Sequence, residues 1–427
     1  MGAVVVVGAQ WGDEGKGKIV DIYSQHADMI VRYAGGANAG HTLVVEGEKI
    51  IFRLIPSGAL NPNTQCVLGQ GTVIDPAILL TELKALQKRG LFSEERFIVS
   101  DRAHVVLPHH MQIDGLREQG SGSIGTTKKG IGPAYEDKAA RRGVRVGDLL
   151  SADKLRAKLV QNIEAWKPVI AALGGTAPDL GDWVDQYLGY GRELAPHIRD
   201  AARPVQRAIA AGKRVLLEGA QGALLDVDSG TYPFVTSSAT TAGGACTGGG
   251  IGPTNIRAVV GITKAYTTRV GAGPFPTEIH GEGGERLREA GLEFGAVTGR
   301  PRRCGWLDIP ALRHAARING LSGLAITKVD VLTGMEDIQL CVAYEHNGKR
   351  LEDPPYDQLE DVTAIYETFP GWTESISSCS ALHELPRNAL RYICAIEDLV
   401  GCKAWLVSVG PDRKQTIQFS DPWASRY

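Results

Sequence analysis

Eight consecutive residues, Trp11-Gly12-Asp13-Glu14-Gly15-Lys16-Gly17-Lys18, stand behind the apolar run Val4-Val5-Val6-Val7. A buried strand that breaks into glycines and lysines, then continues as a helix through Ile19-Val20-Asp21-Ile22, presents backbone N–H groups at a helix N-terminus. That is where phosphate binds. The usual phosphate loop, GxxxxGK[ST], closes with a hydroxyl that holds Mg²⁺. Here Gly17 follows Lys16, so that hydroxyl is missing, and a carboxylate, Asp13, lies inside the loop instead. An acid pressed against a polyphosphate repels it unless it holds the metal, takes a proton, or does both. Two plainer readings stand beside this one: a solvated glycine–lysine turn, and Asp13 as the N-cap of the following helix.

Further chemistry-bearing groups are scattered along the chain. Lys328-Val329-Asp330 directly follows the apolar run Leu324-Ala325-Ile326 and resembles the guanine-specificity element of GTP-binding proteins. A carboxylate there accepts hydrogen bonds from guanine N1–H and the 2-amino group together, whereas adenine leaves it unpaired. The lysine stem can lie along the purine face. A surface ion pair is the plainer reading of such a pair. His41 sits between Gly40 and Thr42, where little bulk surrounds it, and a donor imidazole there suits developing charge on a transferring phosphoryl group. The arginines of Thr298-Gly299-Arg300-Pro301-Arg302-Arg303 suit carboxylates bidentately. His109-His110 has no acid or thiol at ligand spacing and reads as structural. Asp226-Val227-Asp228-Ser229-Gly230 starts like a calcium loop but lacks its later acids.

The elements that must position these groups read as α/β. Asp75-Pro76 opens an N-capped helix with Ile78, Leu79, Leu83 and Leu86, ended by Gly90, and a second helix starts near Ser151 with Leu155, Leu159, Ile163 and Trp166 on one face. Short apolar runs at 215–217, 259–262, 324–326 and 405–407 suit buried strands, and Val44 to Ile51 suits a hairpin turning at Gly47. The motifs fall where strands end, the place of ligand crevices in open α/β sheets. Across 427 residues no linker or repeat marks a boundary, so 1–427 reads as a single domain. Lys plus Arg number 46 against 48 Asp plus Glu, a balance that argues against nucleic acid as the main partner. No stretch has the length of a membrane span, no leader pattern opens the chain, and seven unpaired cysteines suit buried thiols. The expectation is a cytoplasmic protein.

The octapeptide WGDEGKGK resembles the signature of the adenylosuccinate synthetase family. In the family's order follow residues 35–42 (GGANAGHT), 125–138 (GTT through GIGPAYEDK), 218–222 (EGAQG), 230–233 (GTYP), 298–303 (TGRPRR), 327–330 (TKVD) and 410–413 (GPDR), so the likeness spans nearly the whole chain. The resemblance implies a large, mainly parallel sheet with flanking helices and a P-loop GTPase-like nucleotide site. It implies that GTP drives the joining of IMP and L-aspartate through a 6-phosphoryl intermediate. Asp13, His41, Lys16 and Gln221 would be catalytic, with Asp13 the base that takes the N1 proton, and the Asp13 carboxylate and Gly40 carbonyl would hold Mg²⁺. GTP would meet Gly12, Asp13, Glu14, Gly15, Lys16, Gly17, Lys18, Gly40, His41, Thr42, Arg302, Lys328, Val329, Asp330, Ser408, Val409 and Gly410. IMP would meet Asp13, Asn38, Ala39, Gly40, His41, Thr127, Gln221, Thr236 and Arg300, with Arg141 reaching the IMP phosphate of the neighbouring subunit in a homodimer. Aspartate would be held by Ala296, Val297, Thr298, Gly299, Arg300, Pro301 and Arg302. One departure is visible: Ala239 stands where the family usually carries asparagine. The alternatives are a phage-type relative that joins aspartate to dGMP, a GTP-binding switch protein, and an ATP-dependent amide ligase. Asp13 disfavours the first, the acid in the loop and the arginines at 300–303 the second, and Asp330 the third.

Overall fold

The computed structural model describes residues 2–45, 48–120, 123–295, 299–355 and 357–424. At its centre is a ten-stranded sheet in the order Thr416–Gln418, Ala404–Ser408, Gly323–Thr327, Ile256–Lys264, Ala3–Gly8, Val215–Glu218, Met29–Arg32, Gln65–Leu68, Phe97–Ser100, Ile198–Arg199. Neighbours run parallel except at one edge, where Thr416–Gln418 is antiparallel to Ala404–Ser408. The four apolar runs expected to be strands all lie in this sheet.

The valines of Ala3–Gly8 show why the run has no polar interruption. Val5 and Val7 pack with Val31, Leu217 and Val259 on one face, and Val4 and Val6 with Ile19, Ile30 and Leu216 on the other. Successive side chains of a strand point to opposite faces, so a strand covered on both sides must be apolar throughout.

Asp75 caps the helix Pro76–Lys88 by accepting from the backbone N–H groups of Ala77 and Ile78, and Gly90, just past its end, takes φ 70°. The helix Ala152–Ala172 buries Leu155, Leu159, Ile163 and Trp166. The hairpin is present as His41–Val45 and Glu48–Phe52, while its turn, including Gly47, lies outside the described residues. A second, four-stranded sheet, antiparallel except for Leu307–Asp308, was not foreseen. Asp337–His346 pairs with Lys349–Leu351 and Thr363–Pro370, with Ile338, Leu340 and Val342 packed against Leu312 and Tyr392. None of the seven cysteines is in a disulfide, but only Cys66, Cys304, Cys341 and Cys402 are buried, and Cys394 is exposed. Among the described residues no helix is long and apolar enough to cross a membrane.

The central strands deliver the chemistry. Ala3–Gly8, Met29–Arg32, Val215–Glu218, Gly323–Thr327 and Ala404–Ser408 each run, at their carboxyl ends, into one of the motifs singled out above.

Candidate active site

The phosphate loop is folded by its own acid. Gly12, Asp13 and Gly15 all take positive φ, at 87°, 59° and 89°. Inside that turn the fully buried Glu14 carboxylate accepts from Gln10 N at 3.0 Å and Gly12 N at 2.9 Å through Oε1, and from Lys16 Nζ at 2.5 Å through Oε2. Gly8 and Gly222 border it so closely that a Cβ on either would collide with the carboxylate. Glu14 is therefore consumed in shaping the loop. Asp13 is not.

Asp13 is not a helix cap either. The helix Lys16–Ser24 has Gly15 at its N-cap position and no side-chain capping bond. The Asp13 carboxylate instead lies 3.0 Å from Arg302 Nε, a charge contact in which that N–H has no hydrogen-bond partner. Lys18 turns away from the loop. Its Nζ donates to Ser408 Oγ (2.7 Å), Gly410 O (2.7 Å) and Gln415 O (2.9 Å), and burial lowers its pKa to about 8. It thus ties the phosphate-loop helix to the loop after Ala404–Ser408. Arg413 reinforces the tie by pairing both its Nε and Nη2 with Asp21, at 2.6 and 2.7 Å.

His41 faces the end of a neighbouring strand. Its Nδ1 lies 2.5 Å from Glu218 Oε1 and 3.0 Å from Ser57 Oγ, and Glu218 also accepts from Ser57 N (2.9 Å) and Ser57 Oγ (2.7 Å). Both imidazole and carboxylate are buried, and Nε2 has no partner. Burial is the largest influence on His41 and lowers its pKa, while the Glu218 charge opposes it; Glu218 itself is held below the usual carboxylate range, against burial, by His41 and Arg32. The network therefore assigns the proton to Nδ1 and leaves Nε2 as an open, proton-accepting position. A carboxylate behind an imidazole fixes its tautomer and supports a positive charge when one forms.

Gln221, at φ 58°, donates from Nε2 to Asn38 Oδ1 at 3.3 Å, and Ser238 joins it to Thr236 at 3.4 and 3.5 Å. These amides and hydroxyls form one polar strip beside the half-buried Ala39 and Gly40. Thr127 is exposed, on a segment tethered where Thr126 and Gly130 bond to Asp114. A Cβ on Gly125 would lie 3.5 Å from an Arg300 nitrogen, so this segment and the arginine loop are adjacent.

At the end of Gly323–Thr327, Lys328 takes φ 64° and its Nζ donates to Gly291 O at 2.5 Å. Val329 is buried, and burial raises the pKa of the Asp330 carboxyl. Ser408 and Val409 are buried beside it. Ala296, Val297, Thr298 and the side chain of Thr42 lie outside the described residues; Gly299, Arg300 and Pro301 close the loop at the Phe294–Pro301 bridge.

Arg141, at φ 63°, is exposed just beyond the helix Ile131–Ala139. Its neighbour Arg142 pairs with Asp137 at 2.6 Å over the Trp166 ring. His110, read from the sequence as structural with no acid at ligand spacing, finds an acidic partner across the fold. His110 Nε2 lies 2.8 Å from Asp137, which sequence places 27 residues away, and Asp137 also accepts from Asn162 and Trp166. His109 Nε2 is bonded to Asn162. The three side chains are grouped closely enough for a metal, but His110 Nε2 and Asp137 are paired with each other and His109 Nε2 is taken by Asn162, which leaves only His109 Nδ1 without a partner. Asp226 is likewise occupied, by the N–H groups of Asp228, Ser229 and Thr240.

Three participants escaped sequence reasoning: Glu218, Glu293 and Lys264. Glu293 holds Arg302 and Lys264 in a buried cluster. The available signal for Glu218 was an acid closing the apolar run Val215-Leu216-Leu217.

A parallel sheet whose strand ends gather an acid-bearing glycine–lysine loop, a carboxylate-backed imidazole and the half-buried acid Asp330 suits a nucleotide-using ligase rather than a bare switch. Comparison with known proteins agrees. The adenylosuccinate synthetase profile matches residues 5–417. The adenylosuccinate synthetase of Sorangium cellulosum is 53% identical over 420 residues, 98% of either chain, and that of Moorella thermoacetica is 52% identical over 99% of this chain and 100% of its own. A fully ligated adenylosuccinate synthetase from Plasmodium falciparum superposes with TM-score 0.92 at 40% identity, covering 98% of this chain and all of that one. A cyanophage S-2L succinoaminodeoxyadenylate synthetase bound to dGMP and dATP reaches TM-score 0.64 at 21% identity over 99% of this chain and 96% of that one, a likeness of fold alone. The chain belongs to the adenylosuccinate synthetase family, GTP-dependent ligases that join IMP and L-aspartate into adenylosuccinate.

Proposed function

We propose that the strand-end crevice carries out this ligation with the following division of labour. Asp13 takes the N1 proton of IMP, which makes the 6-oxygen a nucleophile toward the γ-phosphorus of GTP, and GDP departs. The amino group of aspartate then attacks carbon 6 and phosphate leaves. His41 presents Nε2 to the reacting oxygens; the charge they bring raises its proton affinity, Nε2 takes up a proton from solvent, and Glu218 stabilises the imidazolium so formed. Lys16, released in part from Glu14, supports the phosphoryl charge.

Residues 12–18 and 40–42 would cradle the phosphates, and Lys328, Val329, Asp330, Ser408, Val409 and Gly410 the base. Lys18 would serve by holding the base loop. Asn38, Ala39, Thr127, Gln221, Thr236 and Arg300 would receive IMP, and residues 296–302 aspartate. The donor set fits Mg²⁺: with Glu14 consumed, Asp13 is the loop carboxylate left to hold it, and Gly40 adds a carbonyl, which suits an ion that keeps most positions for phosphate and water. Mg²⁺, when bound, supplies charge neutralisation to the phosphates. The chain would work as one unit over 1–427 in the cytoplasm, as a homodimer in which Arg141 reaches the partner's IMP.

The observation that carries this reading is the open, buried Nε2 of a histidine backed by Glu218. The test is the absorbance change on mixing protein, Mg²⁺, GTP, IMP and aspartate. Adenylosuccinate should form with GTP and IMP; a preference for ATP, or for dGMP over IMP, would overturn it.

A further inference from the structure

One buried carboxylate stands between two parts of the site that serve different ligands. Glu293 Oε1 accepts from Lys264 Nζ at 2.8 Å and Tyr266 Oη at 2.5 Å, and lies 3.8 Å from Lys328 Nζ. Its Oε2 accepts from Arg302 Nη1 at 2.5 Å. The backbone repeats the connection: Arg302 N donates to Glu293 O at 2.9 Å, and Glu293 N to Arg288 O at 2.8 Å. Gly295 N donates to Arg300 O at 2.8 Å, so both arms of the arginine loop are pinned within two residues of Glu293. Lys328 touches the same segment through Gly291 O.

Charge makes these contacts interdependent. Glu293 and Lys264 are fully buried, and one carboxylate is shared by Lys264, Lys328 and Arg302. Those three cations hold its pKa at about 2 against burial. Lys264 also bonds Thr268 and cannot move far, whereas Lys328 is one-third exposed. In a poorly screened interior, drawing one partner from a shared carboxylate strengthens its hold on the others.

We propose that Glu293 is a positioning residue that couples occupancy of the guanine pocket, sensed at Lys328, to the pose in which Arg302 receives the dicarboxylate substrate. The inference rests on the reading of Lys328 and Arg302 given above. It assigns Glu293 no contact with either substrate. Its signature is a cross-effect: a lysine of the base pocket should alter the apparent affinity for aspartate.

Steady-state kinetics of the full-length enzyme tests this, varying aspartate and GTP separately. Glu293→Gln should raise the aspartate KM about tenfold while kcat stays within about threefold, the split expected of positioning rather than chemistry. Lys328→Gln should raise the KM of GTP and also that of aspartate, each about fivefold, and should no longer move the aspartate KM once Glu293→Gln is present, because coupled sites are non-additive. Tyr266→Phe removes one bond to Glu293 and no charge; it should reproduce the aspartate effect at about twofold if Glu293→Gln fails to fold. A Lys328→Gln enzyme with a raised GTP KM and an unchanged aspartate KM overturns the coupling. So do two substitutions whose aspartate effects simply multiply. Arg302→Gln is the control: if it leaves the aspartate KM unchanged, the reading of the arginine loop falls, and the coupling with it.

Discussion

Among the described residues two buried histidines are paired with carboxylates, and the pairs are built for opposite ends. His41 with Glu218 and His110 with Asp137 share chemistry, burial and short contacts of 2.5 and 2.8 Å. The difference is what remains. His110 Nδ1 accepts from Leu107 N and Nε2 meets Asp137, so the ring is closed. His41 Nδ1 is taken by Glu218 and Ser57, and Nε2 is buried with no partner at all. An unsatisfied buried nitrogen costs free energy, and at the strand ends a ligand can satisfy it. The closed pair instead holds Arg142, and so fixes the chain at Arg141.

The largest effect should come from the acid of the phosphate loop. Asp13→Asn should lower turnover by about 10⁴-fold with GTP binding nearly intact, since the amide keeps the shape and loses the base. Turnover within about tenfold of wild type would reduce Asp13 to a partner of Arg302. Next come the pairs themselves. His41→Asn should cost about 10³-fold in kcat and Glu218→Gln about 10²-fold, whereas His110→Gln should leave kcat within about threefold and lower stability by roughly 1–3 kcal/mol. Comparable kcat losses in His41→Asn and His110→Gln would erase the distinction.

Asp330→Asn should weaken GTP by on the order of 1.5–3 kcal/mol and favour XTP, whose carbonyl replaces the guanine amino group and can accept from an amide. Competition binding with both nucleotides decides it. A smaller effect belongs to the closed region. Burial lowers His109 to about 3 and His104 to about 4 from 6.5. The unfolded chain therefore binds more protons than the native one below pH 6.5, so stability should be level above that pH and fall progressively toward pH 4. Urea midpoints at pH 7.5 and 5.0 that coincide would contradict it.

Much of this was legible in the residues. Valines at 4–7 on a strand covered on both faces, Asp75-Pro76 opening a helix, and motifs at strand ends all follow from local pattern. The glycine–lysine loop, Lys328 with Asp330, and Gln221 with Asn38 follow the carboxyl ends of strands of one sheet because parallel strands end together. Pairings across sequence were not legible. Nothing local announces that Glu218 meets His41 across 177 residues, that Asp137 meets His110, or that Lys18 turns to Ser408 rather than to phosphate. The second sheet was missed because Asp337–His346 alternates only on the face toward the core, with Cys341 and Tyr344 packed on the other side.

The most direct test is nitrogen-detected NMR of the histidines, with His41→Asn and His110→Gln assigning the two rings. In the free enzyme the His41 ring, its pKa lowered by burial, should carry a single proton, on Nδ1. On adding Mg²⁺, IMP and a non-hydrolysable GTP analogue, His41 Nε2 should take up a proton and its pKa should rise, while the His110 signals stay as they were. A His41 ring that remains neutral with both nucleotides bound, or a His110 ring that responds equally, would contradict the account.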